Sequence, residues 1–185
     1  MLISTMVKIK HSNIPSKILH RLSLSACANT RKLVAEYSKI PQSIIINLAK
    51  DKLANVREKI AKRLDITKEI IGILSQDSSI DVRCKIASRE HLSQKIINKL
   101  IQDSSELVRG HIAYHQDIVK KTINELIKDS SELVRCAVAR RQNLSEDIAN
   151  ILANDSCEEV QYRMPKIELY QKTMPIFWLT ITLNI

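Results

Sequence analysis

Apolar residues return at a fixed interval along most of this chain. Within one stretch, Ile96, Ile97 and Leu100 follow one another at the spacing of a single helix face. The face returns every 26 residues, and its leucine is present in six successive copies: Leu22, Leu48, Leu74, Leu100, Leu126 and Leu152. A polar turn and a second apolar stripe follow it. The pattern therefore predicts two short helices, A and B, in every repeat.

Charged and small residues repeat in the same phase and divide the chain into units. Six units follow from these columns: 14–39, 40–65, 66–91, 92–117, 118–143 and 144–169. Only the four middle units carry the full pattern. The first has Ser25 in the Asp column and the last has Pro165 in the Ala column, so we expect the outer units to cap the array. Residues 1–13 are then an N-terminal extension, and residues 170–185 a hydrophobic C-terminal tail.

Local signals predict where the two helices of a unit begin. Ser93 precedes helix A as an N-cap, and Thr67 and Ser145 occupy the same column. Asp103 is expected to open helix B as a capping box with Glu106. Helix B should turn apolar side chains inward, namely Leu107, Val108 and Ile112. One unit of this size cannot bury its own stripes, so neighbouring units must cover them.

The repeat resembles two related families of helical repeats. An Asp followed six residues later by an Arg, as in Asp77 and Arg83, is similar to the HEAT repeat. The run D-x-x-x-x-V-R-x-x-I-A-x-R resembles the leucine-rich repeat variant even more. The resemblance covers residues 14–169 and implies an all-α fold, a right-handed α-solenoid of the armadillo and HEAT type with six two-helix repeats.

The Asp and Arg columns are expected to be structural. In the HEAT family such residues are thought to form a ladder between successive units, and the planar guanidinium is well suited to a neighbour's carboxylate. Repetition of the same pair in unit after unit argues against a catalytic role. The predicted ladder consists of Asp51, Arg57, Asp77, Arg83, Asp103, Arg109, Asp129 and Arg135.

A second basic column lies at the C-terminal end of helix B, with further cations beside it. Two interpretations stay open. The column compensates the exposed carbonyls of the helix end, or it forms a basic strip that binds a macromolecular partner. The candidate partner-binding residues are Lys59, Lys62, Arg63, Lys85, Arg89, His115, Arg140 and Arg141.

The net charge of +9 is unevenly distributed. Residues 1–65 hold 13 cations and 4 acids, whereas residues 144–185 hold 3 cations and 6 acids. This gradient differs from the even charge expected of a groove that follows phosphates along its whole length. No run approaches the roughly 20 apolar residues of a membrane-spanning helix, and the four cysteines form no C-x-x-C pair. We therefore expect a cytoplasmic protein with reduced thiols and no integral membrane insertion.

Few residues suggest chemistry beyond binding. His111 and His115 share a helix face but lack a third ligand, so no metal site is expected. The variant family includes an iron–sulfur protein with clustered cysteines ahead of its repeats, but residues 1–13 hold none, so no cofactor is expected. No phosphate-binding loop or nucleophile motif is present, and no catalytic residue is assigned. The tail from Pro175 is expected to fold over the last unit or to mediate association or membrane-surface contact.

These observations favour a non-enzymatic scaffold that binds a protein through an extended surface. Two alternatives stay open. The basic N-terminal repeats favour nucleic-acid binding, and the HEAT-like relatives include lyases that attach bilins.

Overall fold

The computed structural model describes residues 14–115 and 118–163, and all regular structure in these residues is α-helical. The chain divides into two compact units, one ending at Ile118 and the other starting at Val119. The all-α repeat fold is therefore confirmed for the described residues. The first unit contains eight helices: α1 (Ser16–Ser23), α2 (Ala28–Glu36), α3 (Gln42–Leu48), α4 (Ala54–Ala61), α5 (Lys68–Leu74), α6 (Ile80–Ala87), α7 (Gln94–Leu100) and α8 (Glu106–Ala113).

Odd-numbered helices of the first unit are A helices, and even-numbered ones are B helices. A helices begin at residues 16, 42, 68 and 94, and B helices at 28, 54, 80 and 106, so each series keeps the 26-residue interval of the apolar columns. Each A helix contacts the B helix that follows it, and the B helices contact one another in series from α2 to α8. The structure thus stacks two-helix pairs in sequence order.

The core of the first unit consists of the repeated aliphatic columns. On α4, Val56, Ile60 and Ala61 are fully buried. Leu48 and Leu74 of the neighbouring A helices are buried as well. Alanine after the isoleucine leaves room for adjacent helices to approach closely, and removal of this apolar area from water drives the stacking.

The second unit repeats the same arrangement over its described part. It contains α9 (Lys120–Leu126), α10 (Glu132–Ala139), α11 (Glu146–Ala153) and α12 (Glu158–Arg163). Helix α10 contacts α9, α11 and α12, and its Val134, Val138 and Ala139 are fully buried.

The helix starts correct two of the sequence expectations. Thr67 Oγ1 accepts a hydrogen bond from the amide of Ile70, but Ser93 and Ser145 make no side-chain cap bond. Asp103 does not form a capping box, because α8 begins at Glu106 and its N-cap is Ser105. The Asp103 carboxylate instead accepts from the Ser105 amide at 2.9 Å and so closes the turn before the helix.

Leu107 was expected inside but is 50 % exposed. Val108 and Ile112 are four residues apart and face the core together, and both are fully buried. Leu107 lies about 100° around the helix from Val108, which directs it to the surface. The predicted unit boundaries at residues 14–169 remain a prediction, and the tail 170–185 lies outside the described residues.

Candidate interaction surfaces

Successive pairs are joined by two-pronged ion pairs between arginine and aspartate. Arg57 donates from Nε to Asp77 Oδ2 at 2.6 Å and from Nη2 to Asp77 Oδ1 at 2.7 Å. Arg83 makes the same two bonds to Asp103 at 2.7 and 2.9 Å. Each arginine also donates to the carbonyl of the aspartate in its own pair, as from Arg57 Nη1 to Asp51 O at 2.7 Å. One side chain thereby ties its own turn to that of the next pair.

The aspartates of these pairs have little exposed surface. The Asp77 and Asp103 side chains are 6 % and 9 % exposed. Burial acts to raise the pKa of Asp103, but the hydrogen bonds from Arg83 and from the Ser105 amide outweigh it, so the pKa lies below its usual value. The carboxylate is therefore charged and committed to its partner at neutral pH.

Two ladder residues, Arg31 and Asp155, were absent from the prediction. Arg31 binds Asp51 at 2.6 and 3.0 Å, and Arg135 of the second unit binds Asp155 at 2.7 and 3.0 Å. Both positions stand in the 26-residue columns, but they belong to the outer units, where the motif is otherwise incomplete. The column alone could have identified them.

The second basic column contacts helix ends instead of facing solvent. Arg63 Nη1 donates to the carbonyls of Ala35 and Tyr37 at 3.0 and 2.6 Å, at the C-terminal end of α2. Arg89 Nη1 donates to Ala61 O at 3.0 Å and to Arg63 O. His115 Nε2 lies within hydrogen-bond distance of Ala87 O at the end of α6. Each of the three therefore reaches back to the B helix of the preceding pair, and this geometry favours the carbonyl-compensation interpretation for them.

The lysines of the predicted strip are close to carboxylates. Lys59 Nζ is 2.5 Å from Glu36 Oε1, and Lys62 Nζ is 2.7 Å from Glu58 Oε1. Lys85 is half-buried and contributes to the field that lowers the pKa of Glu58, after the larger effect of the Lys62 hydrogen bond. Of the two remaining candidates, in the second unit, Arg140 is exposed and Arg141 is half-buried, and burial lowers the pKa of Arg141. Partner binding by this strip stays a prediction.

Four columns on the outer side of α2, α4, α6 and α8 form a surface that we call the B face. From α4 onward it comprises Asn55, Glu58, Lys59, Lys62, Asp81, Cys84, Lys85, Ser88, Leu107, Gly110, His111 and Tyr114. Its α8 end is apolar, since Leu107 and Tyr114 are 50 % and 48 % exposed. Gly110 between them is buried and adds no side chain.

His111 and His115 have separate partners. His111 Nδ1 is 3.0 Å from Ser88 Oγ, whereas His115 contacts the α6 carbonyl. Burial, followed by the charges of Lys85 and His115, lowers the pKa of His111, so this imidazole is neutral at pH 7. No cluster of three metal-binding side chains occurs in residues 14–115 and 118–163.

The remaining features offer little chemistry. An open pocket of about 360 Å³ is lined by Ser23, Asn47 and Lys52 together with Arg31 and Asp51, which already bind each other. All four thiols are free, with Cys84 and Cys136 buried and Cys27 exposed. Among the described helices, none is long and apolar enough to cross a bilayer.

Comparison with known proteins supports the fold. No family model matches the sequence, and no curated protein matches it. A solved structure described as a leucine-rich repeat variant with a novel repetitive structural motif is similar, with a TM-score of 0.58 and 20% sequence identity. The match covers 80% of this chain and 70% of that chain. The chain therefore has the fold of a helical repeat protein, as the resemblance implied.

Proposed function

We propose that this protein binds a protein partner through the B face and works without catalysis. The repeat fold itself suggests a scaffold or interaction role. Such a fold presents rows of side chains along its helices, and these are better matched to an extended segment than to a small substrate. The observation that carries the proposal is the half-exposed apolar pair Leu107 and Tyr114 at one end of this face.

The apolar end of the B face supplies the anchor of the proposed site. Leu107, His111 and Tyr114 lie at helical spacing on the outer side of α8. His111 contacts Ser88 of α6, so the surface continues from one helix to the next. Gly110 forms a low floor that lets a partner side chain lie between Leu107 and Tyr114. Tyrosine next to an aliphatic side chain is typical of the residues that dominate binding energy at interfaces.

Charge on the neighbouring helices supports a partner with acidic groups. Lys62 is 47 % exposed beside Glu58, and Lys85 lies on α6 between Lys62 and the apolar end. A partner carboxylate near Lys85 would gain the field of Lys62 and Lys85, whose combined charge exceeds that of Glu58. We infer that the partner segment combines one large apolar side chain with a carboxylate a few residues away. Its orientation would follow from the order of lysines and apolar residues along the face.

The test is a selection of peptides from a random 12-residue library displayed on phage against the full chain. Selected peptides are then synthesised, labelled and measured by fluorescence anisotropy. The Leu107→Ser/Tyr114→Ser variant should weaken binding at least tenfold, because truncation of central apolar anchors removes more than about 1.4 kcal/mol. Lys62→Glu/Lys85→Glu should weaken it several-fold and reduce its salt dependence.

The matched control is Ile18→Ser, which alters another half-exposed aliphatic residue, on α1 and outside the B face. Binding should be unchanged in this variant. Selected peptides that lack apolar or acidic residues, or that bind the Leu107→Ser/Tyr114→Ser variant as tightly as the wild type, would contradict the proposal. Unchanged circular dichroism would show that each variant is folded.

A further inference from the structure

The largest excess of uncommitted positive charge in residues 14–115 lies on the A helices. We call the surface formed by the columns of residues 95, 98, 99 and 102 the A face, and it holds five exposed cations and a single acid, Glu69. The cations are Lys17, Arg21, Lys50, Lys95 and Lys99. Within the part of the chain that the structure describes, none of these five forms an ion pair. They differ in this respect from Lys59, Lys62 and Arg63 of the predicted strip.

The corresponding positions of the B helices are nearly balanced in charge. From α2 to α8 the B face carries four lysines, Lys32, Lys59, Lys62 and Lys85, and three acids, Glu36, Glu58 and Asp81. Two of these lysines are in ion pairs. Arg63 and Arg89 are half-buried: both donate to backbone carbonyls, and Arg63 also forms an ion pair with Asp65. The structure thus places the basic surface on the other helix series from the one that the sequence pattern indicated.

The A face also has polar groups suited to phosphate oxygens. Amide side chains stand between the cations at Asn47, Gln76, Asn98 and Gln102, and all four residues are exposed. Side-chain amides and cations together make most sequence-independent contacts to nucleic-acid backbones. From α1 to α7 the face spans three helix spacings, or about 30 Å. This length matches roughly nine base pairs of a duplex.

Helix α5 has no side chain at one of the outward-facing positions of this face. Gly72 occupies the position where α1 has His20 and α7 has Asn98. A Cβ at Gly72 would meet no atom within 4 Å, so packing does not require glycine there. Glycine within a helix is unfavourable relative to alanine, and its position here lets a rigid ligand approach the α5 backbone closely between the cations of α1 and α7.

We propose that the A face binds the phosphate backbone of duplex nucleic acid without reading its sequence. A duplex carries one negative charge for about every 1.7 Å of its length, a density that suits a row of cations with few acids. Single strands are less well matched, because the A face carries no Phe, Tyr or Trp side chain on which bases would stack. This activity is separate from the protein-binding function of the B face, and either one stands without the other.

The experiment measures anisotropy of a fluorescein-labelled 20-base-pair DNA duplex against the full chain between 50 and 200 mM salt, values chosen from the range in which phosphate contacts dominate. Wild-type binding should weaken steeply, with a slope of about −4 for log K against log salt, from about five phosphate contacts. In the Lys17→Glu/Arg21→Glu variant the slope should fall toward about −2, and affinity at low salt should fall at least ~10-fold. Lys95→Glu/Lys99→Glu should have a similar effect.

The matched control is Lys62→Glu/Lys85→Glu on the B face, which changes the net charge by the same amount and should leave duplex affinity within about threefold. Equal loss in the control and the A-face variants would overturn the proposal, because net charge alone would then explain binding. Tighter binding of a single strand, of polyglutamate or of phosphatidylserine vesicles than of the duplex would also overturn it. Absence of measurable duplex binding at 50 mM salt would do the same.

Discussion

At the scale of single residues, a ladder arginine such as Arg83 binds three acceptor atoms at once. Its planar fork reaches both oxygens of the next aspartate and a carbonyl of its own turn, as Arg83 does with Asp103 and Asp77. The aspartate in turn accepts from a backbone amide two residues on. Lysine has one charged nitrogen and could not satisfy this geometry.

Replacement of Arg83 by alanine should destabilise the first unit by roughly 1–3 kcal/mol, because it leaves a nearly buried carboxylate and a carbonyl without their donor. Urea unfolding followed by circular dichroism measures the change. Lys95→Ala serves as the control, since Lys95 is exposed on the A face, and should change stability by less than about 0.5 kcal/mol. Equal stability of the two variants would contradict a structural role for the ion pair.

The same ion pairs make stability sensitive to acid. The hydrogen bond from Arg135 is the largest effect on Asp155 and lowers its pKa. Since the folded value lies below the unfolded one, the pair stabilises the fold above the unfolded pKa of about 3.9 and loses this contribution as pH falls through the folded value. The stability difference between wild type and Asp155→Asn should therefore shrink between about pH 5 and pH 2. A difference that stays constant or grows on acidification would contradict this linkage.

At this scale the sequence identifies the Asp and Arg columns but not every contact that their residues make. The 26-residue interval pointed to Asp103 and Arg83 as members of repeated columns, but not to the amide that each carboxylate accepts from. Asp103 and Glu106 have the residue types and the spacing of a capping box. The backbone shows that helix α8 begins at Glu106, two residues later than such a box requires. In the sequence, Arg63 and Arg89 are typical of a basic surface. Their contacts with carbonyls of the preceding pair depend on how the helix pairs pack.

At the scale of helices, three B helices of the first unit, α2, α4 and α6, receive a C-terminal cap from the next pair. Arg63 contacts the end of α2, Arg89 the end of α4 and His115 the end of α6. The last carbonyls of a helix have no partner within it and carry partial negative charge, so a cation or donor there is favourable. Short helices of eight or nine residues depend on such caps, because they have few internal hydrogen bonds.

The Arg89→Met variant keeps an apolar stem but removes the donors to Ala61 and Arg63. We expect a loss of about 1–2 kcal/mol in the free energy of unfolding, since buried carbonyls lose their partner. Thermal unfolding measures this loss, and Lys85→Met is the control on the same helix series. If Arg89→Met proved as stable as the control while it lost binding of a selected peptide, Arg89 would belong to the partner site instead.

In helix α5, by contrast, a substitution should increase the stability of the protein. Gly72→Ala should stabilise the protein by roughly 0.5–1 kcal/mol, because alanine restricts the unfolded chain and fits without a clash. Chemical denaturation measures the gain, and Gly72→Val tests the same site with a β-branched residue that gains less. A destabilised Gly72→Ala variant would show that the open space above α5 is needed by the fold itself.

At the scale of the whole molecule, residues that hold the helix pairs together and residues available to partners form separate sets. Arginines and aspartates of the ladder face the joints between pairs, and the caps face helix ends. The A and B faces are left with lysines, amides, Leu107 and Tyr114. The apolar period predicted the helices and their order well, because burial of repeated aliphatic columns decides both. It could not predict the faces, whose net charge depends on which cations meet a carboxylate.

Hydrogen–deuterium exchange of the full chain, with and without a selected peptide, tests most directly whether a protein partner lies on the B face. We expect slower exchange at backbone amides of α6 and α8, around Lys85, His111 and Tyr114, and no change in α1, α3 and α7. Protection confined to the A helices, or the absence of protection in α6 and α8 at saturating peptide, would contradict the account.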